Sequence, residues 1–320
     1  MSDAISTSAP PRRTRLAPSP TGALHLGNAR TFLINWALAK QYGWDIVLRV
    51  ENLDTPRNQP GAIEQAIEDL RWLGLDWDQG PTFQLDDLSP YEEALKQLDA
   101  AGHTYPCPAT RREIVAAASA PHIDDHELRY PGLYRPPAAP PIAADAEVAT
   151  RVIVRDGDIH FTDRIAGEQT HDVQQQVGDF VVSTKAGLPA YQLAVVVDDF
   201  RQGITDIVRG DDLLRSTARQ IVLQELLGYT PTPTYWHVPL VVDEEGRRMA
   251  KRRGDTRLAS LRGQGVSTER MVALLARLSG WSDAPSEMSA TEFAEGFTLE
   301  LLPREPVAFT SGELTWLLQT

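Results

Sequence analysis

The stretch APSPTGALHLGN at residues 17–28 constrains this chain more than any other feature. A short strand is predicted over residues 14–18, and apolar side chains then recur at helical spacing over residues 29–42. A buried strand is predicted over residues 44–50. Strand, helix and strand in this order form a β-α-β unit, which requires a parallel sheet, so the sequence predicts an α/β fold.

The same stretch predicts a site for phosphate groups. Pro18 and Pro20 stiffen the loop, and Gly22 permits a tight turn. The helix that follows offers backbone N–H groups and the positive end of its dipole, and His25 lies close enough to its start to donate to a phosphate. Gly27 leaves room for a flat ring. Taken alone, the pattern also fits a plain tight turn that carries a surface histidine.

A second basic element follows HVPLVVD, a strand predicted over residues 237–243. RRMAKRRGDTR at residues 247–257 is cationic in a chain whose net charge is -13. That charge argues against a general nucleic-acid binder, and a solvated charged loop is the plainer interpretation of the segment. A mobile loop with Lys251 at its centre could instead close over the phosphates, where positive charge stabilises developing negative charge. Together the two elements predict an α/β enzyme that uses ATP.

The rest of the chain mixes short helices and strands. The remaining predicted elements are helices over residues 61–73, 90–101 and 211–227, a mostly helical tail from residue 267, a buried strand over 188–199, and an antiparallel hairpin of 149–156 with 158–163. PGLYRPPAAPP, at residues 131–141, is not expected to form helix or strand because it is rich in proline.

Composition sets wider limits on the chain. Its 320 residues are 42% hydrophobic, which is enough for more than one compact unit. No apolar run is long enough to cross a membrane, and residues 1–11 lack the hydrophobic segment of a secretory signal, so we expect a disordered lead-in. Cys107 is the single cysteine, so no intrachain disulfide is possible, which fits a reducing, cytoplasmic setting.

Four segments resemble the class I aminoacyl-tRNA synthetases. RLAPSPTGALHLGN resembles the first signature of that class, of His-x-Gly-His type, and RMAKR at 248–252 resembles the second, of Lys-Met-Ser-Lys-Ser type. Residues 49–57 and 191–220 resemble the glutamate-specific branch, and the resemblance runs in order over most of residues 12–260. A full glutamyl-tRNA synthetase carries a large anticodon-binding region after the second signature, where only residues 253–320 remain here. The chain therefore resembles the shorter glutamyl-Q tRNA(Asp) synthetase family.

This resemblance implies a fold and a domain order. The fold class is α/β, with a Rossmann-like parallel-sheet class I synthetase catalytic domain, an inserted α+β subdomain and a small C-terminal helical unit. The expected ranges are 1–11 for the lead-in, 12–101 and 188–245 for the catalytic domain, 102–187 for the inserted subdomain, and 246–320 for the second-signature loop and helical domain.

The resemblance also implies an activity. Members of this family activate L-glutamate with ATP to glutamyl-adenylate without tRNA, and then transfer glutamate to queuosine, the modified wobble base of tRNA(Asp). The implied partners are glutamate, ATP with Mg²⁺, and the anticodon stem-loop that carries queuosine. Arg111 and Arg112 are candidates for contacts with RNA phosphates. We expect a monomer with no membrane partner.

Matching positions carry over as candidate site residues. The implied glutamate-binding residues are Arg15, Ala17, Ser19, Glu51, Tyr191 and Arg209. The implied ATP-binding residues are Pro18, Thr21, Gly22, His25, Gly27, Asn28, Arg248, Met249, Lys251 and Arg252, of which His25 and Lys251 are the catalytic pair. Arg15 and Arg209 suit carboxylates, and Glu51 suits the α-ammonium. Pairing of Glu51 with Arg49 and a core position for Tyr191 are the structural alternatives.

Candidate metal ligands are few. Asp198 and Asp199 form an acidic pair at the end of the predicted strand, where structural or substrate-orienting roles compete with Mg²⁺ binding. The family often carries zinc in the insertion, on Cys-x-Cys and Tyr-x-x-x-Cys. Here the remnants are Cys107 and Tyr130, while Ala109 and Tyr134 replace two cysteines. We therefore do not expect zinc, although His122 and His126 could substitute as ligands.

The two signatures depart from the family pattern without requiring loss of activity. Arg248 and Ala250 replace a lysine and a serine of the second signature, and Asn28 replaces the second histidine of the first. Two other functions stay open. One is an adenylyl or nucleotidyl transferase that uses another acid, which the set Arg15, Glu51 and Arg209 disfavours. The other is a non-catalytic RNA-binding synthetase derivative, which retention of His25 and Lys251 disfavours.

Overall fold

A computed structural model of the chain describes residues 11–117, 128–247 and 256–319. The strands are β1 Arg13–Leu16, β2 Asp45–Val50, β3 Gln79–Phe83, β4 Thr104–Cys107, β5 Ala149–Val152, β6 Asp158–Asp163, β7 Gly167–Asp172, β8 Val181–Ser183, β9 Asp206–Gly210, β10 Thr234–Val238, β11 Val241–Val242 and β12 Val307–Ala308. The helices are α1 Leu26–Tyr42, α2 Ala62–Trp72, α3 Ser89–Ala100, α4 Arg111–Ala117, α5 Val173–Gln176, α6 Tyr191–Arg201, α7 Leu214–Leu227, α8 Leu258–Gly263, α9 Thr268–Leu278, α10 Ala290–Gly296 and α11 Ser311–Leu318.

The predicted β-α-β unit is confirmed. β1 and β2 pair in parallel, with Arg13 opposite Asp45 and Leu16 opposite Leu48, and α1 forms the crossover between them. α1 begins three residues before the predicted position of Ala29, because His25 takes the N-cap position and orders the first turn. The predicted α/β class is therefore correct.

A third strand completes the sheet of this unit, and a second sheet adjoins it at β1. β3 pairs in parallel with β2, and β9 lies on the other side of β1, where the backbone N–H of Thr205 donates to the carbonyl of Arg13 at 2.9 Å. β10 pairs in parallel with β9 and is followed by β6 and β7. The carboxyl ends of β1, β2 and β9 thus meet at one edge, where parallel α/β sheets bind ligands.

The predicted hairpin of residues 149–156 with 158–163 is wrong in its pairing. β5 pairs antiparallel with β4 and β8 in a separate sheet, whereas β6 forms a hairpin with β7. The backbone N–H of Val154 donates to the buried carboxylate of Asp179 at 2.8 Å, which turns the chain away from β5. Alternating polarity identified both strands correctly but carries no information about the partner of each strand.

Residues 188–199 were predicted as a buried strand, and this prediction is wrong. The segment forms the first part of α6, and its residues from Leu193 to Asp199 are all buried. A helix buried all round shows no amphipathic period, and a run of valines favours a strand in an isolated sequence. Packing against α7 and α3 decides the helical outcome.

The strand predicted over residues 237–243 is interrupted. β10 ends at Val238 and β11 begins at Val241, because Pro239 cannot donate to a ladder. Its carbonyl instead accepts a hydrogen bond from the buried guanidinium of Arg30 at 2.6 Å. β11 pairs with β12 from the C-terminal region, and the two form a separate two-stranded sheet.

The other helix predictions are confirmed, except that the tail is helical only in part. Those over 61–73 and 90–101 correspond to α2 and α3, and that over 211–227 corresponds to a 3-10 turn followed by α7. The tail contains α9, α10 and α11, but these helices cover only about half of it, so the prediction of a mostly helical tail is confirmed only in part. α9 and α10 pack on α1 in one large apolar core. Described residues within 131–141 form neither helix nor strand. Among the helices that the structure describes, none is long and apolar enough to span a membrane.

Asp69 provides a stability test away from the sheet edge. Its side chain is fully buried in α2, one carboxylate oxygen accepts from Gln65 at 2.9 Å, and burial raises its pKa to about 6. The folded state therefore binds a proton more tightly than the unfolded state, and stability falls as the pH rises from 3.8 to about 6. Asp69→Asn should increase the free energy of unfolding near neutral pH by up to about 3 kcal/mol.

Urea unfolding near pH 4 and near neutral pH measures this difference. Glu64, which is exposed on the same helix, supplies the control, since Glu64→Gln should leave the pH dependence unchanged. An Asp69→Asn variant that is less stable than the parent near neutral pH would contradict this account of the buried carboxylate.

Candidate active site

A cavity of about 560 Å³ opens at the carboxyl ends of β1, β2 and β9. Its wall also includes the residues of the stiff loop, the first turn of α1 and the start of α6. The lining residues are Arg15, Ala17, Pro18, Ser19, Thr21, Gly22, Ala23, Leu24, His25, Gly27, Asn28, Thr31, Phe32, Glu51, Tyr191, Val208, Arg209, Gly210, Asp212, Leu213, Leu240 and Val241.

His25 closes the first turn of α1 and presents one ring nitrogen to the cavity side. Its Nδ1 accepts from the backbone N–H of Gly27 at 3.2 Å, and its own backbone N–H donates to the side-chain oxygen of Asn28 at 3.2 Å. Burial lowers the pKa of His25, although nearby Asp212 opposes the shift. The ring is therefore neutral with its proton on Nε2, which leaves a hydrogen-bond donor beside the positive end of the helix dipole.

Gly27 is required by this cap. A Cβ at Gly27 would lie 3.2 Å from Cε1 and 3.3 Å from Nδ1 of His25. The glycine therefore makes room for the imidazole of the same chain, in addition to any ring of a ligand. The amide oxygen of Asn28 serves the cap as well, so this residue has a structural contact besides its place on the cavity wall.

Arg15 and Glu51 lie in one buried ion-pair network. Nε of Arg15 donates to Asp199 at 3.2 Å, and the same carboxylate oxygen accepts from Arg49 at 2.7 Å. Arg49 also pairs with Glu51 at 3.0 Å, so the predicted alternative of an Arg49–Glu51 pair is present in the structure. Burial raises the pKa of Glu51, and the two guanidinium groups oppose the rise. Glu51 thus contacts Arg49 and lines the cavity at once.

Arg209 is held from two sides. Its Nε donates to Nε2 of His237 at 3.0 Å, and its Nη2 donates to the hydroxyl of Thr217 at 2.9 Å. Nη1 is buried and has no hydrogen-bond partner among the described residues. A cavity that carries an unpartnered guanidinium nitrogen suits a carboxylate ligand, because a buried unpaired donor costs free energy.

The structure brings the described members of the predicted site together. All six predicted glutamate-binding residues line the cavity, and so do six of the predicted ATP-binding residues, Pro18, Thr21, Gly22, His25, Gly27 and Asn28. Tyr191 is 40% exposed at the cavity wall, so it is not a core tyrosine. The other four predicted ATP-binding residues, Arg248, Met249, Lys251 and Arg252, lie outside the described residues.

The described chain on both sides of the second signature adjoins this cavity. Val241 lines it. Arg257 forms an antiparallel bridge with His25, and the backbone N–H of Leu258 donates to the carbonyl of Leu24 at 2.9 Å. The two elements that the sequence analysis linked are therefore joined by backbone contacts at the start of α1.

Asp198 and Asp199 accept hydrogen bonds from different side chains. Asp198 accepts from Gln84 at 2.8 Å and from the hydroxyl of Tyr91 at 2.9 Å, whereas Asp199 pairs with Arg15 and Arg49. These contacts fit the structural and orienting roles rather than a shared metal. Over residues 11–117, 128–247 and 256–319, no three His, Cys, Asp or Glu side chains converge as a metal site.

Sequence reasoning missed the residues that support the site. These are Asp163 and His237, which are joined at 2.6 Å, and Thr217. The sequence offered two signals. One was the histidine in a strand that a proline follows, and the other was the aspartate at the end of β6, and both lie in apolar surroundings. Only the fold shows that β6 and β10 are neighbours.

The remnant zinc residues form an apolar and aromatic cluster. Cys107 is buried, with its sulfur 3.3 Å from the hydroxyl of Tyr130, and that hydroxyl accepts from the backbone N–H of Tyr134 at 3.0 Å. The guanidinium of Arg151 stacks 3.7 Å from the centroid of the Tyr130 ring. These contacts do not fit tetrahedral zinc. His122 and His126 lie outside the described residues.

We expect the purified chain to carry no stoichiometric zinc, because these side chains are satisfied by one another. Elemental analysis should find no bound zinc, and a strong chelator should leave the thermal unfolding midpoint unchanged. The double variant His122→Ala/His126→Ala is the control for alternative ligands. One equivalent of zinc in the parent chain that is lost in the double variant would contradict the expectation.

Comparison with known proteins agrees with the site. The family described as tRNA synthetases class I (E and Q), catalytic domain, matches residues 12–316. The glutamyl-Q tRNA(Asp) synthetase of Rhodopirellula baltica is 48% identical over 278 residues, which cover 83% of this chain and 84% of that protein. The protein of the same name from Symbiobacterium thermophilum is 45% identical over 306 residues, covering 92% and 94%.

Longer relatives match as well. The glutamate–tRNA ligase of Albidiferax ferrireducens is 38% identical, and the match covers 95% of this chain and 66% of that protein. The crystal structure of a glutamate tRNA ligase from Elizabethkingia meningosepticum, in complex with its amino acid, has a TM-score of 0.80 at 26% identity, covering 96% of this chain and 68% of that one. The chain therefore belongs to the class I tRNA synthetases of the glutamate and glutamine type, and within them to the glutamyl-Q tRNA(Asp) synthetase family.

Proposed function

We propose that this protein activates L-glutamate with ATP to glutamyl-adenylate without RNA, and then transfers the glutamyl group to queuosine at the wobble position of tRNA(Asp). One observation carries the first half: two arginines and a glutamate line a cavity beside a capped helix N-terminus. The names of relatives at 45% identity and above support the acceptor. Because the acceptor is a tRNA, we further propose that the enzyme works in the cytoplasm, and that it does so as a monomer.

The charges of the cavity match those of glutamate. The amino acid has two carboxylates and one ammonium group, and the cavity offers Arg15, Arg209 and Glu51. Nη1 of Arg209, which lacks a partner among the described residues, is our candidate for the side-chain carboxylate. Glu51 takes the α-ammonium, and Arg49, which pairs with it at 3.0 Å, opposes the rise in pKa that burial causes. Ala17, Ser19 and Tyr191 complete the wall.

ATP is assigned to the other end of the cavity. Its phosphates lie against the first turn of α1, where the helix dipole and Nε2–H of His25 favour negative charge. Thr21, Gly22 and Gly27 form the wall beside it. Any Mg²⁺ would be bound through the triphosphate and would offset part of its negative charge. Lys251, with its neighbours Arg248, Met249 and Arg252, supplies further contacts from the segment between Val241 and Arg257, which adjoin the cavity.

The chemistry needs positioning and charge rather than a covalent enzyme intermediate. A carboxylate oxygen of glutamate attacks the α-phosphorus of ATP, a new O–P bond forms, and the bond to pyrophosphate breaks. His25 and Lys251 stabilise the negative charge that builds on the phosphate oxygens. A hydroxyl of queuosine then attacks the glutamyl carbonyl, loses its proton, and AMP leaves. Holding both reactants in one cavity adds to the rate gain, because it orients the reacting groups before the reaction.

The acceptor approaches from the side of the inserted subdomain. A second cavity of about 430 Å³ lies there, and Tyr191 lines both cavities. An RNA base that leaves its stack would enter a pocket of this kind. Arg111 and Arg112 are exposed at the start of α4 and are assigned to phosphates of the anticodon stem.

Two competing functions make different predictions. An adenylyl transferase for another acid would exchange pyrophosphate into ATP with that acid and not with glutamate. A non-catalytic RNA-binding derivative would show no exchange with any amino acid. The chain with ATP, labelled pyrophosphate and single amino acids, in the absence of RNA, separates all three. We expect exchange with glutamate, and far less with glutamine or aspartate.

Transfer is tested separately from activation. The chain is incubated with ATP, labelled glutamate and tRNA pools that contain or lack queuosine. We expect label only in the queuosine-containing pool, on tRNA(Asp). Equal labelling of both pools would contradict the proposed acceptor while leaving glutamate activation intact.

Glu51→Gln should raise the KM for glutamate in pyrophosphate exchange by roughly 10- to 100-fold, because an amide cannot pair with the α-ammonium by charge. The KM for ATP should change little. Glu68→Gln on the exposed face of α2 is the matched control. An unchanged KM for glutamate in Glu51→Gln would remove Glu51 from the amino-acid site.

Lys251→Ala should lower kcat for exchange by roughly 100-fold or more, since it removes a charge that acts on the transition state. Its circular dichroism and thermal unfolding should match those of the parent chain. Lys96→Ala, on the exposed face of α3, controls for general loss of positive charge. A Lys251→Ala protein with full exchange activity would exclude Lys251 from the mechanism.

A further inference from the structure

A buried line of three side chains runs behind the cavity. It joins Asp163 at the end of β6, His237 in β10 and Arg209 in β9, which are 1%, 1% and 5% exposed. Asp163 and His237 are absent from the cavity wall and do not contact the reacting groups assigned above. His237 contacts Arg209, and Asp163 contacts His237, so both can affect the amino-acid site through Arg209.

The hydrogen bonds of this line allow one tautomer of His237. Arg209 can only donate, and its Nε lies 3.0 Å from Nε2 of His237, so Nε2 must carry the lone pair. The proton therefore sits on Nδ1, which donates to Asp163 at 2.6 Å. Burial and the nearby guanidinium groups lower the pKa of His237 to about 4, so the ring is neutral near pH 7.

Asp163 is fixed as an ionised acceptor. One of its oxygens accepts from the backbone N–H groups of Ile165 at 2.9 Å, Ala166 at 2.8 Å and His237 at 3.2 Å. Burial opposes ionisation, but the bond from the His237 ring and these backbone donors outweigh it and lower the pKa of Asp163. Its other oxygen accepts from the imidazole and thereby selects the tautomer of His237 with the proton on Nδ1.

The tautomer in turn decides where Arg209 can lie. Arg209 donates to the lone pair on Nε2 of His237 and to the hydroxyl oxygen of Thr217, so two nitrogens of its guanidinium are anchored. The guanidinium therefore stays at the cavity wall, and its Nη1 lacks a partner among the described residues. With the proton on Nε2 instead, two N–H groups would face each other, and Arg209 would have to move.

We propose that Asp163 and His237 are positioning residues for acidic amino-acid recognition, because Asp163 selects the tautomer of His237 that anchors Arg209 against the cavity. This inference rests on the proposed function only for the identity of the amino acid. The tautomer itself is a property of the chain alone.

Asp163→Asn is the sharpest variant, because it preserves shape. The backbone donors of Ile165 and Ala166 hold the amide oxygen of the new residue, which turns its NH₂ toward Nδ1 of His237. The imidazole should then carry its proton on Nε2. In ¹⁵N NMR of histidine-labelled protein, the two nitrogens of His237, assigned by loss of the signal in His237→Gln, should exchange their protonated and unprotonated shifts.

The kinetic consequence should be specific for the amino acid. In pyrophosphate exchange, Asp163→Asn should raise the KM for glutamate by roughly 10- to 100-fold, with an unchanged KM for ATP and weaker discrimination against glutamine. In the His237→Gln background, Asp163→Asn should raise the KM for glutamate little further. A glutamine amide has no tautomers to select, and its oxygen can accept from Arg209 whichever residue stands at position 163. Additive effects in the two backgrounds would overturn the proposal, as would a flipped tautomer with unchanged glutamate KM.

A second comparison decides the matter if Asp163→Asn does not fold. His237→Gln keeps an acceptor for Arg209 and should retain a glutamate KM near that of the parent, whereas His237→Leu should raise it. Equal KM values in these two variants would overturn the proposal. If the chain shows no exchange with any amino acid, the proposed function fails, while the NMR result still reports on the tautomer in its own right.

Discussion

One buried carboxylate, Asp199, fixes the geometry on which the cavity depends. It accepts from Arg15 on β1 and from Arg49 on β2, while its own backbone belongs to α6. Burial opposes its ionisation, but Arg49 and Arg15 outweigh that cost and lower its pKa. Three elements are thereby tied at the edge where parallel strands end. A buried charge of this kind is stable only with its partners, so loss of one would disturb the others.

The cationic side chains of the cavity are consequently preorganised rather than flexible. Arg15 is anchored by Asp199, and Arg209 is anchored by His237 and Thr217. A ligand carboxylate then meets donors that are already in place, so less conformational entropy is lost on binding. The neutral ring of His25 is fixed in the same way by Gly27 at the other end of the cavity. Electrostatic stabilisation in enzymes depends on such fixed donors.

Much of this arrangement was predictable from local sequence, and some of it was not. The β-α-β unit followed from the periodicity of residues 29–42 and 44–50, and the stiff loop indicated the phosphate end of the cavity. The helix from Tyr191 was missed because its residues from Leu193 to Asp199 are all buried, and such a segment has no amphipathic period. The pairing of β5 and β6 was missed because strand partners are chosen by tertiary contacts.

The residues of the candidate site were likewise only partly predictable from the sequence. Arg15, Glu51 and Arg209 were identified through family resemblance and lie together on one cavity wall. Asp163 and His237 were not, because neither residue belongs to a recognisable motif and their contact joins positions 74 apart in the chain. Residues that act through another residue leave little trace in a single sequence, and only packing reveals them.

The most direct test of the account is a crystal structure with glutamate and a non-hydrolysable ATP analogue. The account predicts the glutamate side-chain carboxylate on Arg209, the α-ammonium on Glu51, and the phosphates against the first turn of α1 at His25. Glutamate bound away from these three residues, or phosphates bound away from that turn, would contradict it.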